Sequence, residues 1–157
     1  MTKYTLESSR EWYNNLPGKL ASAAMIIRWN DSYLMIKDDY KEAMTFPSGI
    51  VDPSESAKHA AIRETQEEVG FDLPAAAVEF YSVAYISETY GFNDRFHFYF
   101  IVEIDDVISD TMKLAPGIEY HKWVSSSEIS ELAGKRPAYT RLQEILESSE
   151  PVPYFEV

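Results

Sequence analysis

Three glutamates lie close together in the segment 49–71, GIVDPSESAKHAAIRETQEEVGF. On an α-helix, Glu64, Glu67 and Glu68 fall within an arc of about 100° and therefore share one face. Three carboxylates on one face repel each other, and a bound cation would reverse the sign of that interaction. Oxygen ligands without cysteine or histidine favour a hard ion, Mg²⁺ or Mn²⁺, which leaves positions for water and substrate phosphates. The spacing therefore predicts a phosphate-handling site.

A plainer interpretation of the same glutamates stays open at this point. Charged residues are ordinary on protein surfaces, and a solvated acidic helix in an acidic chain would contain the same three side chains. The glutamates alone do not separate the two interpretations, so the residues around them have to be considered as well.

The surrounding residues complete a longer pattern, G-x5-E-x7-R-E-U-x-E-E-x-G-U, in which U is a bulky apolar residue. Its positions are filled in order by Gly49, Glu55, Arg63, Glu64, Glu67, Glu68, Gly70 and Phe71. On these residues the chain resembles the Nudix hydrolase family, and the likeness extends over roughly residues 20–130. Thr65 stands where an aliphatic residue is usual, and Ser48 where a glycine commonly precedes the motif. The Thr65 hydroxyl then requires a partner, such as the carbonyl one turn back.

The resemblance implies a fold and an activity. The fold would be α/β (α+β), an α/β/α sandwich around a mixed β-sheet, formed by one domain over residues 1–157. Residues 1–20 would be an N-terminal arm, and residues 49–71 a loop, a helix and a loop. The implied reaction is hydrolysis of the diphosphate bond in a nucleoside diphosphate linked to another group, with Mg²⁺ or Mn²⁺ as cofactor. Nucleoside triphosphates, dinucleoside polyphosphates, ADP-ribose and nucleotide sugars all fit, so the substrate stays open.

The resemblance also assigns metal ligands within the motif. Glu64 and Glu68 match the principal ligands, and Glu67 matches a further one. The backbone carbonyl of Ser48 or Gly49 would complete the shell. One glutamate would accept the proton of the attacking water, and Glu64 and Glu67 are the candidates within the motif.

Two other roles follow from the same resemblance. Glu55 and Arg63 match a salt bridge that orients the motif, and we expect them to be structural. A supplementary glutamate from a later loop is common in such proteins, and the candidates are Glu88, Glu103 and Glu119. Glu119 is the best placed, because it follows a Pro-Gly break, and it is our third candidate for a catalytic acid or base.

Substrate contacts are predicted from residue type and from position near strand ends. Arg28, Lys37 and Arg95 could meet substrate phosphates, although such residues usually lie on the surface. Phe46 is our candidate for stacking on a base, while core packing is the alternative for any aromatic residue. The other aromatic candidates are Tyr85, Tyr90, Phe92 and Tyr99. The histidines, which lack metal-ligand spacing and should lie on the surface or in the core, are His59, His97 and His121.

The elements that must position the motif can be predicted from local patterns. Residues 21–29 and 33–37 are apolar runs around Asn-Asp-Ser, which predicts a β-hairpin. The Phe-Pro-Ser-Gly sequence at 46–49 predicts a bend. Ser54 is a predicted N-cap of a helix that runs to about Val69, with Gly70 as its terminator.

Beyond the motif, residues 78–86, 95–104 and 120–124 predict strands. Ser125-x-x-Glu128 predicts a capping box that opens a short helix, and a last helix should cover 138–148. Near the start of the chain, Trp12 and Tyr13 predict a short helix or arm that packs its aromatic rings on the domain.

Composition limits the classes of function. A formal net charge of −12 repels phosphate backbones and argues against binding to duplex DNA or RNA. The absence of cysteine excludes disulfides, thiolate zinc sites, iron–sulfur clusters and thiol nucleophiles, and it fits a cytoplasmic protein. We expect neither a signal peptide nor a membrane span, since no apolar stretch approaches about 20 residues.

One function from another class remains at this point. A catalytically silent Nudix-fold sensor or interaction module would bind a nucleotide without turning it over, and it predicts a damaged motif or an added output domain. Neither feature is visible in the sequence. The isopentenyl diphosphate isomerase type relies on a catalytic cysteine, and this chain has none. A homodimer is common among such proteins, although the sequence shows no interface.

Overall fold

The first two strands form the hairpin that the sequence predicts. In the computed structural model, which describes residues 5–87, 93–148 and 150–157, strand β1 covers Leu20–Trp29 and strand β2 covers Ser32–Asp38. The two strands pair antiparallel. Asn30 and Asp31 connect them with φ of 49° and 61°, which is the pattern of a two-residue turn whose twist matches that of the strands.

Within the described residues, the sheet has seven strands of mixed direction. The remaining strands are β3 (Ser48–Ile50), β4 (Glu79–Ile86), β5 (Arg95–Glu103), β6 (Ile118–Val124) and β7 (Tyr154–Glu156). The order is β6-β2-β1-β5-β4-β7, and β3 pairs with β1. The β1–β5 and β4–β7 pairs are parallel and the others antiparallel. This confirms the predicted mixed sheet.

Helices cover both faces of the sheet. The helices are α1 (Leu6–Asn14), α2 (Ala57–Val69), α3 (Asp106–Ser109), α4 (Ile129–Leu132) and α5 (Pro137–Glu147), with short 3₁₀ turns at Ala75–Ala77 and Ser126–Glu128. Ala23, Met25 and Ile27 of β1 pack in the core that contains α2. Ala24 and Ile26 pack in the core that contains α5. Successive side chains of a strand point to opposite faces, so β1 is buried on both sides.

Two short strands and one helix boundary differ from the sequence prediction. The bend predicted at 46–49 leads into β3, and the tail contributes β7. Each of these strands has only three residues, which is too short to show an alternating pattern. The N-cap of α2 is Ser56, not Ser54, because Ser54 adopts a φ of 65° and lies before the helix. The predicted terminator Gly70 is confirmed, with a left-handed φ of 79°.

Helix α1 leaves its aromatic side chains in solvent. Trp12 is 56% exposed and Tyr13 is 69% exposed, and no residue of α1 is buried. The two rings contact each other at a centroid distance of 5.0 Å. The prediction that these aromatics pack on the domain is therefore wrong, because the two rings contact each other and remain exposed.

The helices of the described residues are short. The longest is α2, with 13 residues. Within the described part of the chain, none has the length and apolar character that a membrane crossing requires.

Candidate active site

Helix α2 carries the three glutamates and is anchored at both ends and along its buried face. The Ser56 side chain accepts a hydrogen bond from the His59 amide, which caps the first turn. Ala60, Ala61, Thr65 and Val69 are buried against the sheet. The Thr65 hydroxyl donates to the Ala61 carbonyl at 2.7 Å, so the polar residue at this usually aliphatic position has the partner expected for it.

Glu68 is a partly buried carboxylate near the end of α2. Its Oε2 accepts a hydrogen bond of 2.9 Å from the Ser48 amide, which ties the helix to β3. Burial raises the pKa of Glu68 to about 7, and the negative charges of Asp38 and Glu64 add to this, against the Ser48 amide and Lys41. The folded chain therefore holds a desolvated carboxylate among other acids.

Glu64 lies against the backbone of β3 at Gly49. A Cβ built on Gly49 would overlap the Glu64 carboxylate, so only glycine admits this close approach. The Glu64 side chain is 16% exposed, and its Oε1 lies 2.8 Å from Nη1 of Arg63. Glu64 and Glu68 thus both contact the Ser48–Gly49 segment.

Glu67 lies on the outer side of this arrangement. Its side chain is 60% exposed, and its Oε2 lies 3.5 Å from Nη1 of Arg63. Of the three glutamates that the sequence groups on one face, the structure holds Glu64 and Glu68 against β3 and leaves Glu67 largely in water.

Arg63 joins the helix to the loop before it. Its Nε donates to Glu55 Oε1 at 2.9 Å and its Nη2 donates to Glu55 Oε2 at 3.0 Å. Nη2 also donates to the Ile50 carbonyl at 3.1 Å. The paired charges raise the pKa of Arg63 and lower the pKa of Glu55. Glu55 precedes the helix, so this salt bridge connects the loop to the helix.

Replacing Arg63 with lysine is expected to raise the Mg²⁺ concentration needed for half-maximal activity about tenfold and to lower the melting temperature. A lysine ammonium cannot hold both Glu55 oxygens and the Ile50 carbonyl at once, so the Glu64 carboxylate loses its support. Metal titration of activity measures the first effect and thermal denaturation the second. Arg141→Lys is the matched control, because Arg141 forms an exposed ion pair with Glu144 on α5. An unaltered metal requirement in Arg63→Lys would contradict the positioning role.

Asp38 and Lys41 belong to the same cluster, and the sequence analysis missed them. Asp38, the last residue of β2, is buried at 5% exposure, and its Oδ2 lies 2.7 Å from Nζ of Lys41. Both residues act on the pKa of Glu68. A carboxylate at the end of a mainly apolar strand was the available signal, since a buried acid needs a charged partner.

The donor set fits a hard divalent cation. The Glu64 and Glu68 carboxylates meet the same backbone segment, and burial, with smaller effects from Asp38 and Glu64, raises the pKa of Glu68. Within the described residues, no three acidic or histidine side chains meet closely enough to hold a metal ion by themselves. Mg²⁺ commonly takes one or two carboxylates and fills its other positions with water and substrate phosphates. Two carboxylates and a backbone carbonyl of residues 48–49 match this coordination.

A cavity of about 400 Å³ opens beside β3. Ser48 and Gly49 form part of its wall, so the cavity adjoins the segment that Glu64 and Glu68 contact. Three cationic residues, Lys41, Arg95 and Arg136, also line it. Arg136 is held in place by donating to the Ala133 and Met44 carbonyls at 2.9 Å and 2.8 Å. In a chain of net charge −12, this is a local positive environment.

Of the four predicted substrate contacts, only Arg95 lines this cavity. Arg28 pairs with Asp31 and Glu103 at the far end of β1. Lys37 donates to the Asp38 carbonyl at 2.9 Å. Phe46 is fully buried in the core, where its ring lies 5.4 Å from that of Tyr139. These contacts favour structural roles for Arg28, Lys37 and Phe46, and we do not propose them as substrate contacts.

The later glutamates lie apart from the cluster or outside the described residues. Glu119 is on β6 with its side chain 57% exposed, and its Oε2 lies 3.4 Å from Nζ of Lys37. Glu103 pairs with Arg28 at 3.4 Å. Glu88, Tyr90 and Phe92 lie outside the described residues. The acid outside the motif whose charge raises the pKa of Glu68 is Asp38, and not Glu119.

The other aromatic and histidine candidates divide between core and cavity. Tyr99 is 1% exposed and lines the cavity with His97. The Tyr85 hydroxyl donates to Asp94 at 2.9 Å. His59 contacts its own helix cap at Ser56, and His121 lies on β6 away from the cavity.

Comparison with known proteins identifies the family. No curated protein matches the sequence. The model of the NUDIX domain family matches residues 19–144. The chain belongs to this family. The match covers the complete acidic motif and ends before β7, and it makes this Nudix chain a nucleotide pyrophosphohydrolase by class.

Solved structures of similar fold agree with that assignment. A NUDIX hydrolase from Nitrosomonas europaea matches with a TM-score of 0.69 at 22% identity, over 87% of this chain and 93% of the other. An Ap4A hydrolase binary complex from C. elegans matches with a TM-score of 0.63 at 20% identity, over 82% and 95% of the two chains. A bifunctional NMN adenylyltransferase/ADP ribose pyrophosphatase from Francisella tularensis, complexed with AMP and Mn, matches at 0.67 and 19% identity, over 90% of this chain and 45% of the other. At these identities the likeness shows the Nudix fold.

Proposed function

We propose that the chain is a Mg²⁺- or Mn²⁺-dependent hydrolase of the diphosphate linkage in a nucleoside diphosphate joined to another group. The observation that carries the proposal is the position of two largely buried carboxylates, Glu64 and Glu68, against the Ser48–Gly49 segment of a cavity lined by three cations. Carboxylates suit a divalent ion, and cations suit phosphate oxygens. Their proximity fits a substrate that has both a scissile diphosphate and a further anionic or polar part.

Glu64 and Glu68, with a carbonyl of Ser48 or Gly49, would hold the cation. A bound divalent ion neutralises charge on the phosphate oxygens and makes a water molecule more acidic. Gly49 lets the Glu64 carboxylate approach the backbone, and Arg63 fixes that carboxylate from the other side. The ligands are therefore preorganised by contacts that do not depend on the ion.

The cavity cations would orient the rest of the substrate. Lys41 forms an ion pair with Asp38, and the charges of both residues act on the pKa of Glu68. Among the cavity cations, Lys41 is therefore the one linked to the glutamates. Arg136 is fixed by two backbone carbonyls and stacks 4.7 Å from the Tyr139 ring centroid. A rigid guanidinium binds phosphate at little entropic cost. We assign both side chains to binding of the anionic part of the substrate.

Among the glutamates, the contacts favour Glu67 as proton acceptor from the attacking water. The Oε1 of Glu64 lies 2.8 Å from Nη1 of Arg63, so this oxygen is already occupied by an ion pair. Glu67 lies farther from Arg63, at 3.5 Å, and its side chain is 60% exposed. Glu119 is paired with Lys37 on another strand. We therefore place Glu67 ahead of Glu64 and Glu119 for this role.

The test is product release from a substrate panel in the presence of Mg²⁺, Mn²⁺ or EDTA. The panel contains nucleoside triphosphates, NADH, nucleotide sugars, ADP-ribose and diadenosine polyphosphates. ADP-ribose and diadenosine polyphosphates are tested first, because two proteins of similar fold are named as an ADP ribose pyrophosphatase and an Ap4A hydrolase. Metal-dependent cleavage of one class, abolished by EDTA, is the expected result. Tight metal-dependent binding with no cleavage of any member would overturn the proposal and favour a nucleotide sensor.

A further inference from the structure

Strand β2 ends on an irregular pairing beside a buried acid. Lys37 lies opposite Tyr120 on β6, but the next residue, Asp38, lies opposite Ile118, so the register shifts between them. An irregularity of this kind bends a strand and redirects the side chains beside it. The Asp38 side chain is buried, although aspartate is seldom buried without a partner. The fold therefore encloses a carboxylate that requires a positive charge close by.

The chain turns back after β2 and supplies that charge from Lys41. The Lys41 amide donates to the Asp38 carbonyl at 3.3 Å, which closes a four-residue turn. The turn brings Nζ of Lys41 to 2.7 Å from Oδ2 of Asp38. Apart from this ion pair, the buried Oδ2 has no hydrogen-bond partner in the described part of the chain. The Asp38 carboxylate and the Lys41 ammonium therefore compensate each other's charge.

Glu68 lies within electrostatic reach of this ion pair. Burial is the main cause that raises the pKa of Glu68, and of the two nearby charges Asp38 adds to the rise while Lys41 opposes it. Burial acts to lower the pKa of Lys41, but Asp38 raises it, and the charge of Glu68 adds to that effect. Among the described residues, the ammonium pairs with Asp38 and forms no ion pair with Glu68. Lys41 thus has two carboxylates near it and is held by one of them.

The choice between the two carboxylates matters for a cation site. Glu68 accepts a hydrogen bond from the Ser48 amide through Oε2. A lysine ammonium is a compact charge with three donors, and on Glu68 it would neutralise the charge that attracts a divalent ion. The affinity of a metal site depends on the groups that keep its ligands available and oriented. A partner that retains Lys41 elsewhere therefore protects the site.

We propose that Asp38 is a positioning residue that holds Lys41 away from Glu68 and so keeps the Glu68 carboxylate available to the metal. The inference rests on the proposed function, because it takes Glu68 as a metal ligand. Asp38 acts through Lys41 and does not itself bind the ion. The same ion pair fixes Lys41 at the wall of the cavity, where it faces the anionic part of the substrate.

The test is calorimetric binding of Mn²⁺ to the whole chain without substrate. In Asp38→Asn, Mn²⁺ should bind about tenfold more weakly than in the wild type, because Lys41 loses its partner and pairs with Glu68. The double variant with Asp38→Asn and Lys41→Met should bind within about twofold of the wild type, since no ammonium remains to compete. Glu131→Gln is the matched control. It removes an exposed carboxylate paired with Lys135 at 3.1 Å and should bind Mn²⁺ like the wild type.

A crystal structure of metal-free Asp38→Asn separates movement of Lys41 from the mere loss of a nearby negative charge. Nζ of Lys41 should lie within about 4 Å of a Glu68 carboxylate oxygen. A Lys41 side chain that stays away from Glu68 would overturn the proposal, and so would unchanged Mn²⁺ affinity in Asp38→Asn. Equal weakening in the single and double variants would show that Asp38 acts on the metal without Lys41. Asp38→Ser takes the place of Asp38→Asn if the latter does not fold by circular dichroism.

Hydrolysis of the substrate panel by the wild-type chain separates this inference from the proposed function. If the wild type neither binds Mn²⁺ nor hydrolyses any substrate, the proposed function fails, and the inference fails with it. If the wild type binds Mn²⁺ and hydrolyses a substrate while Asp38→Asn keeps the wild-type Mn²⁺ affinity, the inference alone fails.

Discussion

Replacement of Glu68 by glutamine is expected to lower kcat on the order of 100-fold or more while leaving the fold intact. Glutamine has nearly the same volume and can still accept the hydrogen bond from the Ser48 amide, but it removes one ligand charge from the cation site. Steady-state hydrolysis of the best panel substrate measures the loss. Glu79→Gln, an exposed acid on β4, is the matched control and should retain full activity. A wild-type kcat in Glu68→Gln would refute the assignment of this glutamate.

The same substitution should stabilise the metal-free protein, and only at higher pH. The pKa of Glu68 is about 7 in the folded chain and near 4.5 when unfolded, so the folded state binds more protons between these values. The Glu68 contribution to stability therefore falls as pH rises from about 4.5 to 7, and its full cost is present above pH 7. Glu68→Gln should melt higher than wild type at pH 8 and close to wild type at pH 5. A smaller gap at pH 8 than at pH 5 would contradict this account.

Replacement of Gly49 by alanine is expected to reduce kcat about 10- to 100-fold and to weaken metal binding. The added Cβ would occupy the space of the Glu64 carboxylate, and because Gly49 is fixed by pairing with Ala23, the carboxylate has to move. Kinetics as a function of Mn²⁺ concentration measure both effects. The expected pattern is a higher metal requirement together with a lower maximal rate.

Gly117→Ala is the control for backbone stiffening, because a Cβ there meets no atom within 4 Å. Its activity should equal that of the wild type, and its melting temperature should change little. If Gly49→Ala and Gly117→Ala behave alike, the close approach of Glu64 to β3 has no role in catalysis. A variant Gly49→Ala that is inactive and also unfolded would be followed by Glu64→Asp, which withdraws the carboxylate without any clash.

Local patterns were sufficient to predict the elements that position the motif. The Asn-Asp turn of the hairpin, the terminator Gly70 and the hydroxyl bond of Thr65 are all decided by residues within one turn of each other. The helix start was misplaced by two residues. Ser54 and Ser56 are both good caps by type, but only Ser56 accepts from the His59 amide, while Ser54 has a φ of 65°.

The rest of the site depends on contacts between distant parts of the chain. Asp38 and Glu68 come from a strand and a helix that no local pattern relates. Likewise, Arg136 reaches the cavity from the start of α5, and Val157 reaches it through a three-residue strand. Arg28 and Lys37 looked equivalent to Arg95 in sequence. In the structure they pair with Glu103 and Glu119 on the neighbouring strands β5 and β6.

The central position of β1 also affects how the chain reaches this structure. Leu20 of β1 pairs in parallel with Arg95 of β5, about 75 positions later along the chain. Closing so long a loop costs entropy before the pairing is gained, so folding of this topology is slow compared with a helical bundle of similar size. Until β5 arrives, the apolar edge of β1 is open to other chains, and refolding yield should fall as protein concentration rises.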